Sequence, residues 1–375
     1  MAPRSEGPES AQQRLARYRA MRDFAATPEP SGDVGATGEG RRFVVQQHDA
    51  TRLHWDLRIE HEGVLASWAL PRGIPWTPDT NRLAVHTEDH PLEYLDFEGN
   101  IPDGSYGAGE MFVWDRGTYE LEKWEDRKVT VVLHGAKARG RHALFATRGR
   151  DWMIHRMDPP ADPTRRPVPT DLRPMEAMPW TLDAARDLQD DEAWATEVAW
   201  RGERVLVVCE PGDVRIFATD GREITGALPE VRRMGRATGS LEAVLDGVLV
   251  PVGADGRPLD SAETLAHRLV EASASTWRRL AQKYPAAFLA FDLIWLEGHP
   301  LVDEPWHVRR ELLEQIHLDG PAWQTPTAHR GDARDVFDAA ASNGLGGLVL
   351  KRIDGTYRPG EVSEVWRSVS LAGST

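Results

Sequence analysis

The chain has 375 residues, 41% of them hydrophobic with 14 Trp, and a formal net charge of -14. That length exceeds one small domain and that apolar content excludes wholesale disorder. One cysteine, Cys209, excludes an intramolecular disulfide and fits a reducing cytoplasm, and no apolar run nears the roughly 20 residues that span a bilayer. Residues 1–13 lack the apolar stretch of a signal peptide, so a cytoplasmic protein with no membrane partner is expected.

In chain order, residues 1–12 form an expected disordered tail, and Pro28 to Gly40 is similarly rich in Gly, Pro, Ser and acids. Between them Ala11 to Phe24 has helical composition, ending in Arg22-Asp23-Phe24. From Phe43 to His155 come short alternating runs with Gly and Pro turns, which predict a compact β-barrel or sandwich. Within it, His54 to Glu60 alternates strictly. A strand there turns Trp55, Leu57 and Ile59 to a core, and His54, Asp56, Arg58 and Glu60 to the other face.

An imidazole, a carboxylate and a guanidinium on one strand face offer two metal ligands beside an anion clamp. With His48 folded toward them from a strand end, His48, His54 and Asp56 make a two-His-one-carboxylate set that leaves coordination positions open. The spacing alone fits either a metal centre or hydrogen-bonded polar residues at a strand edge. Downstream, His90 and Tyr94 lie four apart around Pro91, in a pattern suited either to proton donation and anion binding or to a structural His and a core Tyr.

Lys137, Arg139, Arg141, Arg148, Arg150 and Arg156 form a local basic run, readable as a phosphate patch or a solvated hairpin. Residues 1–160 carry 21 Lys and Arg against 25 Asp and Glu, and residues 161–375 carry 24 against 34, so the acidity lies mostly in the second half. Between Asp158 and Pro179 seven prolines predict a semi-rigid linker over 158–173. Beyond it, strand-like runs (Val205 to Val208, Ala287 to Trp295, Leu348 to Lys351) alternate with helical ones (Ser261 to Lys283, Val308 to Ile316, Arg334 to Asn343), an α+β pattern.

Ordered motifs over residues 15–157 resemble the 3′-phosphoesterase domain of bacterial DNA ligase D. They are Arg22-Asp23-Phe24 with Thr27-Pro28-Glu29, the run His48 to Arg58, Ser67 to Gly73, and Arg82 to Tyr94. Phe97-Glu98-Gly99, Ile101-Pro102, Gly104, Tyr106 to Gly109 and Val113-Trp114-Asp115 complete the set. The resemblance implies that His48, His54 and Asp56 ligate Mn²⁺, with Zn²⁺ or Co²⁺ as alternatives. Arg58, Arg82 and His90 would hold a 3′ phosphate with Arg72, which stands where many relatives carry Lys. Tyr94 would support His90 or the attacking water, and Arg22, Asp23 and Glu29 would be accessory. Metal-assisted removal of 3′ phosphates and 3′-terminal ribonucleotides from DNA ends, in non-homologous end joining, is the implied activity.

From Pro174 to residue 372 the chain is similar to the adenylation domain of ATP-dependent DNA ligases, through Leu245-Asp246-Gly247, Phe291 to Gly298, Gly347 to Arg352 and Tyr357 to Gly360. The family's catalytic positions differ here. Where its K-x-D-G-x-R motif places the nucleophilic Lys stands Ala199, and its Asp is Arg201; residues 180–240 contain no lysine. Val248, Gly346, Ser368 and Ser370 replace further acids and lysines, while Gly202, Arg204, Asp246 and Lys351 remain. Without its nucleophile a covalent step is lost, so a degenerate pseudo-ligase with no ATP use is expected. With the sequence reading to Thr375, the oligonucleotide-binding domain that usually follows is not expected.

The expectation is therefore two domains, an N-terminal mainly-β compact barrel at 13–157 and a C-terminal α+β nucleotidyltransferase at 174–372. Expected partners are DNA 3′ ends of primer-templates or broken duplexes, with Ku-like, ligase or polymerase repair proteins beside them. A non-catalytic DNA-end or repair-complex scaffold is the alternative; an Fe(II) oxygenase, which uses the same triad, fits the surrounding arginines poorly.

Overall fold

In the computed structural model the alternation of apolar and polar residues drives eight antiparallel strands into a closed barrel. They are Arg42–Asp49 (β1), Leu53–His61 (β2), Val64–Leu70 (β3) and Arg82–His86 (β4), then, after the short Gly99–Ile101 (β5), Gly109–Glu125 (β6), Lys128–Gly135 (β7), Arg139–Arg148 (β8) and Asp151–Arg156 (β9). The order is β1-β2-β3-β4-β9-β8-β7-β6, β1 pairs with β6 to close it, and β5 adds to the edge of β6. The described residues are 10–32, 40–169, 171–186, 191–253, 255–259, 263–270, 272–331 and 333–371. Most of the expected tail, residues 33–39 of the Gly/Pro-rich stretch, Ser261 and residue 372 lie outside them.

Every second residue of β2 points into the barrel: Trp55, Leu57 and Ile59 pack with Phe43, Trp68 and Leu133. Burying side chains of this size contributes about 1.5–3 kcal/mol each. The opposite parity faces outward, yet it is not solvated. A second apolar layer of Leu15, Tyr18, Leu65, Leu92, Tyr94 and Met111 covers it. The N-terminal segment supplies part of this roof, and it is ordered earlier than the sequence suggests. Ser10 caps helix Ala11–Arg14 in a reciprocal box with Gln13. The single helix expected to Phe24 is two short pieces, Ala11–Arg14 and Ala16–Ala20, after which Asp23 turns the chain by accepting from Ala25 N at 3.1 Å. Nor is Pro28 to Gly32 loose, since Glu29 is 5% exposed.

The chain divides into Met1–Pro163 and Thr164–Thr375. Part of the Pro-rich run belongs to the second unit: Val168 and Leu172 pack against Leu206, Val208 and Trp295. That unit is α+β. Its strands Glu176–Trp180 (β10), Trp194–Val198 (β11), Glu203–Glu210 (β12), Asp213–Ala218 (β13), Ala243–Pro251 (β14) and Ala286–Leu296 (β15) are followed by the two-residue pieces His299–Pro300 (β16), Asp319–Gly320 (β17), Trp323–Gln324 (β18) and His329–Arg330 (β19). Gly347–Arg352 (β20) and Val362–Ser370 (β21) complete the set. They form two sheets, β10-β21-β20-β11-β19 and β13-β12-β14-β15-β18-β17, with β16 on β15. Helices Trp306–Gln315 and Ala333–Ser342 fall where the periodicity predicts, whereas the long one expected to Lys283 is split into Glu263–Ala266 and Ala274–Lys283. Ser273 restarts it by accepting from Thr276 N.

One buried ion pair fastens this unit. Arg309, in the helix Trp306–Gln315, meets Asp292 of β15 through two 2.8 Å bonds, with the two side chains 0% and 1% exposed. Removing one partner strands the other charge away from water. Asp292→Ala is expected to cost the second unit about 3–5 kcal/mol, read as an earlier transition in urea unfolding.

Candidate active site

The site lies on the outer face of the barrel wall, where β1, β2 and β3 run side by side. His48 pairs directly with His54 across the β1–β2 hairpin, and Asp56 follows two residues on, on the same face. Ligand atoms of His48, His54 and Asp56 all lie within 4.8 Å of one another. His48 Nδ1 is 3.6 Å from Asp56 Oδ2, and His54 Nε2 is 3.6 Å from Asp56 Oδ1.

The outer atoms of both rings settle what the inner ones do. His48 Nε2 is 2.9 Å from Gly107 O and His54 Nδ1 is 2.9 Å from Arg52 O. A carbonyl only accepts, so the proton of each ring sits on that nitrogen, and the lone pair of the other is turned to Asp56. Second-sphere carbonyls of this kind are what orient metal-ligating imidazoles. Burial works against the Asp56 charge, but the Arg58 guanidinium beside it overrides this and holds the carboxyl well below the usual carboxylate range. The donor set is two imidazole lone pairs and one carboxylate, which fits a divalent transition ion.

Arg58 is 2% exposed and held from three sides, donating to Gln46 Oε1 at 2.7 Å, Ser67 Oγ at 3.1 Å and Asp56 Oδ2 at 2.9 Å. Gln46 is itself fixed by the carbonyls of Tyr94 and Phe97. Across a hollow of about 280 Å³ stand His90, Tyr94 and Glu88. His90 Nδ1 is 2.8 Å from Glu88 O, so its proton is there, and Nε2 accepts from Arg22 Nη2 at 3.2 Å. Burial, then Arg58 and Arg22, lower the His90 pKa well below its ordinary value. His90 is therefore a neutral acceptor in this arrangement, and hydrogen-bond donation to an anion falls to the guanidinium groups beside it, which stay charged and transfer no proton.

Glu29 draws the N-terminal segment onto the site. It accepts from Arg22 Nε at 2.7 Å, from Thr27 Oγ1 at 2.9 Å and from the Tyr94 hydroxyl. Arg22 spans further to Glu88 Oε1 at 3.2 Å. Asp23 lines an adjoining hollow of about 440 Å³ together with Arg22 and Tyr106.

Two expected phosphate ligands are not brought in. Arg82 of β4 pairs with Ile154, a barrel-interior residue, so its parity faces away from Asp56. Its Nη1 donates to the carbonyls of Arg72 and Ile74. Arg72 is exposed and lines neither hollow. The basic run is likewise largely spent locally: Arg141 pairs with Glu122 and Asp158, Arg150 donates to His86 O, and Arg156 to Arg139 O and Pro159 O. Gln46, Ser67, Glu88, Tyr106 and Gly107 are site residues that were not anticipated. Gln46 alone carried a local signal, standing two before His48 on the same strand face.

In the second unit Ala199 follows β11 and lines a separate hollow of about 190 Å³ with Glu197, Arg204, Val248, Lys351 and Trp366. Its retained charged residues are engaged with one another. Arg204 grips Asp246 through two 2.7 Å bonds, the Tyr357 hydroxyl donates to Asp246 at 2.6 Å, and Lys351 Nζ is 2.9 Å from Glu197 Oε2.

Residues 46–146 match the family of the DNA ligase D 3′-phosphoesterase domain, and residues 174–369 match the ATP-dependent DNA ligase domain. The chain is 37% identical over 365 residues to the multifunctional non-homologous end joining protein LigD of Mycolicibacterium smegmatis, an alignment covering 94% of this chain and 45% of that one. With its namesake from Pseudomonas aeruginosa it shares 33% identity over 398 residues, covering 92% and 46%. The chain thus spans less than half the length of these relatives. A solved structure, mycobacterial DNA ligase D complexed with ATP and MES, is 28% identical with a TM-score of 0.43, covering 54% of this chain and 61% of that one.

Proposed function

We propose that this chain, which belongs to the ATP-dependent DNA ligase domain family and carries a DNA ligase D-type 3′-phosphoesterase domain ahead of it, is a Mn²⁺-dependent enzyme that heals DNA 3′ ends in bacterial non-homologous end joining. It removes 3′ phosphates and 3′-terminal ribonucleotides, while its ligase-like unit is catalytically dead. The observation that carries this reading is the convergence of the His48, His54 and Asp56 ligand atoms within 4.8 Å, with both outer ring nitrogens tied to carbonyls.

His48, His54 and Asp56 would hold the ion, which when bound supplies Lewis acidity toward the phosphoryl group and a lowered pKa for water. The chain's own residues do the rest. Arg58, pre-set by Gln46 and Ser67, meets the phosphate without reorganising and offsets charge that builds in the transition state. Arg22 brings a second guanidinium from the N-terminal segment, fixed by Glu29 and Glu88. His90, neutral and anchored at Glu88 O, offers Nε2 as an acceptor once Arg22 turns to the substrate. Tyr94 walls the hollow beneath Arg58, whose Cζ lies 4.8 Å from its ring centroid.

The test is a primer-template ending in a 3′ phosphate, or in one 3′ ribonucleotide, incubated with the protein and Mn²⁺ or with chelator. Conversion to a 3′ hydroxyl with Mn²⁺ and none with chelator is expected. Binding of DNA ends without turnover in any of Mn²⁺, Zn²⁺ or Co²⁺ would leave the scaffold role instead.

A further inference from the structure

We infer that Tyr106 is a stacking platform for the 3′-terminal nucleobase, seating the substrate through a contact that is indifferent to which base it is. This rests on the barrel being a DNA 3′-end phosphoesterase. Tyr106 is 45% exposed, one of the few large apolar side chains among the described residues left this open, yet it stands beside the buried His48, Asp56, Arg58 and His90. It lines both the 280 Å³ hollow over His48, His54 and Asp56 and the 440 Å³ hollow beside it, and so forms a wall shared by the two.

An exposed aromatic on a floppy loop would mean little, but this one is held. The carbonyl of the next residue, Gly107, accepts from His48 Nε2 at 2.9 Å, which ties the backbone under Tyr106 to a candidate metal ligand. Two residues further, Gly109 sits at φ +141°, where a Cβ would lie 2.3 Å from Asp49 O, so the loop is pressed against the β1–β2 turn. The ring is positioned as well: Arg22 Cζ lies 5.5 Å from its centroid and its hydroxyl is 3.5 Å from Glu88 Oε2. One face of a phenol ring is thus left open to the solvent-filled side at a fixed distance from the site.

A nucleotide whose 3′ phosphate meets Arg58 and the His48–His54–Asp56 cluster carries its sugar and base as one unit beyond it. The hollow continues past Tyr106, which is where that unit goes. Every base presents a π-face, so stacking there adds affinity without sequence preference. Asp23, Glu29 and Asp103 line this second hollow against one cation, Arg22, which is itself paired with Glu29. The excess of negative charge disfavours a further phosphate in it, which leaves base and sugar as its occupants.

Tyr106→Ala is expected to lower kcat/KM on a 3′-phosphate primer-template by about tenfold to a hundredfold, mostly through KM, whereas Tyr106→Phe and Tyr106→Trp stay near wild type. On a primer whose terminal nucleotide is abasic, wild type and Tyr106→Ala should converge. A loss in Tyr106→Phe equal to that of the alanine variant, or an undiminished loss on the abasic primer, would overturn the inference and leave a role through Glu88. A second readout needs no turnover. With chelator present, a primer ending in 2-aminopurine 3′-phosphate should be quenched on binding wild type and not on binding Tyr106→Ala. Equal quenching by both overturns the platform even if the wild type proves inactive, whereas loss of turnover with Tyr106-dependent quenching retained would remove only the hydrolase reading.

Discussion

His48→Ala is expected to reduce turnover of a 3′-phosphate primer-template by about 10³-fold or more while the barrel stays folded. The ion contributes several kcal/mol of transition-state stabilisation, and each 1.4 kcal/mol is a factor of ten. His48 is one of the three proposed ligands, so its removal would leave a two-point site. The fold should survive because the side chain lies on the outer face of β1, while its barrel-facing neighbours on that strand, Phe43 and Val45, keep their packing. Losing the bond to Gly107 O will loosen the 102–108 turn, and this adds to the kinetic loss rather than to unfolding. Single-turnover rates and Mn²⁺ titration, with far-ultraviolet circular dichroism as the fold control, make the measurement. His155→Ala is the comparison, since His155 is half-buried on β9, lines neither hollow and is bonded to Asn81, and its rate should match wild type. A His48→Ala protein within tenfold of wild type would take the metal out of the mechanism.

The site was legible where backbone geometry alone decides it. Period two on β2 sends Trp55, Leu57 and Ile59 inward and keeps His54, Asp56 and Arg58 together, whatever the rest of the fold does. Glu60 obeys the same parity and still falls outside the site, because Arg42 reaches it at 2.7 Å further along the strand. His48 needed one more step, the hairpin that sets it opposite His54. Arg82 shows the limit of motif matching. Its spacing from His90 is the family's, but the β4–β9 register turns it to the inner parity, and no local pattern announces that. Glu88 lies in the loop after β4, and Tyr106 and Gly107 in a turn, where side-chain direction follows from tertiary contact and not from periodicity. The buried Glu29 is a similar case: a stretch rich in Gly and Pro reads as loose, and donors from Arg22 and Tyr94, with the neighbouring Thr27, order it.

Incubated with labelled ATP and Mg²⁺ or Mn²⁺, the protein is expected to form no covalent AMP adduct, and Ala199→Lys alone is expected to form none either. Adenylation needs an amine aimed at the α-phosphate and charges that accept the leaving pyrophosphate. Among the described residues lining the hollow around Ala199, Lys351 is the one lysine, and it is already committed. Its ammonium is 2.9 Å from Glu197 Oε2 and 3.2 Å from Phe291 O, and lies over the Trp366 and Phe291 rings at 4.2 and 4.5 Å. Burial holds its pKa below the ordinary lysine value, with Glu197 and then Asp292 opposing this without reversing it, but the amine is tied down by these contacts and not aimed at a phosphate. Adding an amine at 199 leaves Val248, Gly346, Ser368 and Ser370 without charge, so neither a metal ion nor the pyrophosphate gains a partner. Arg204 and Asp246 cannot be recruited cheaply, because each is the other's bidentate partner and Tyr357 closes the pair. An AMP-labelled band from the wild type, abolished in Lys351→Met, would reassign the nucleophile to Lys351 and restore this unit as an enzyme.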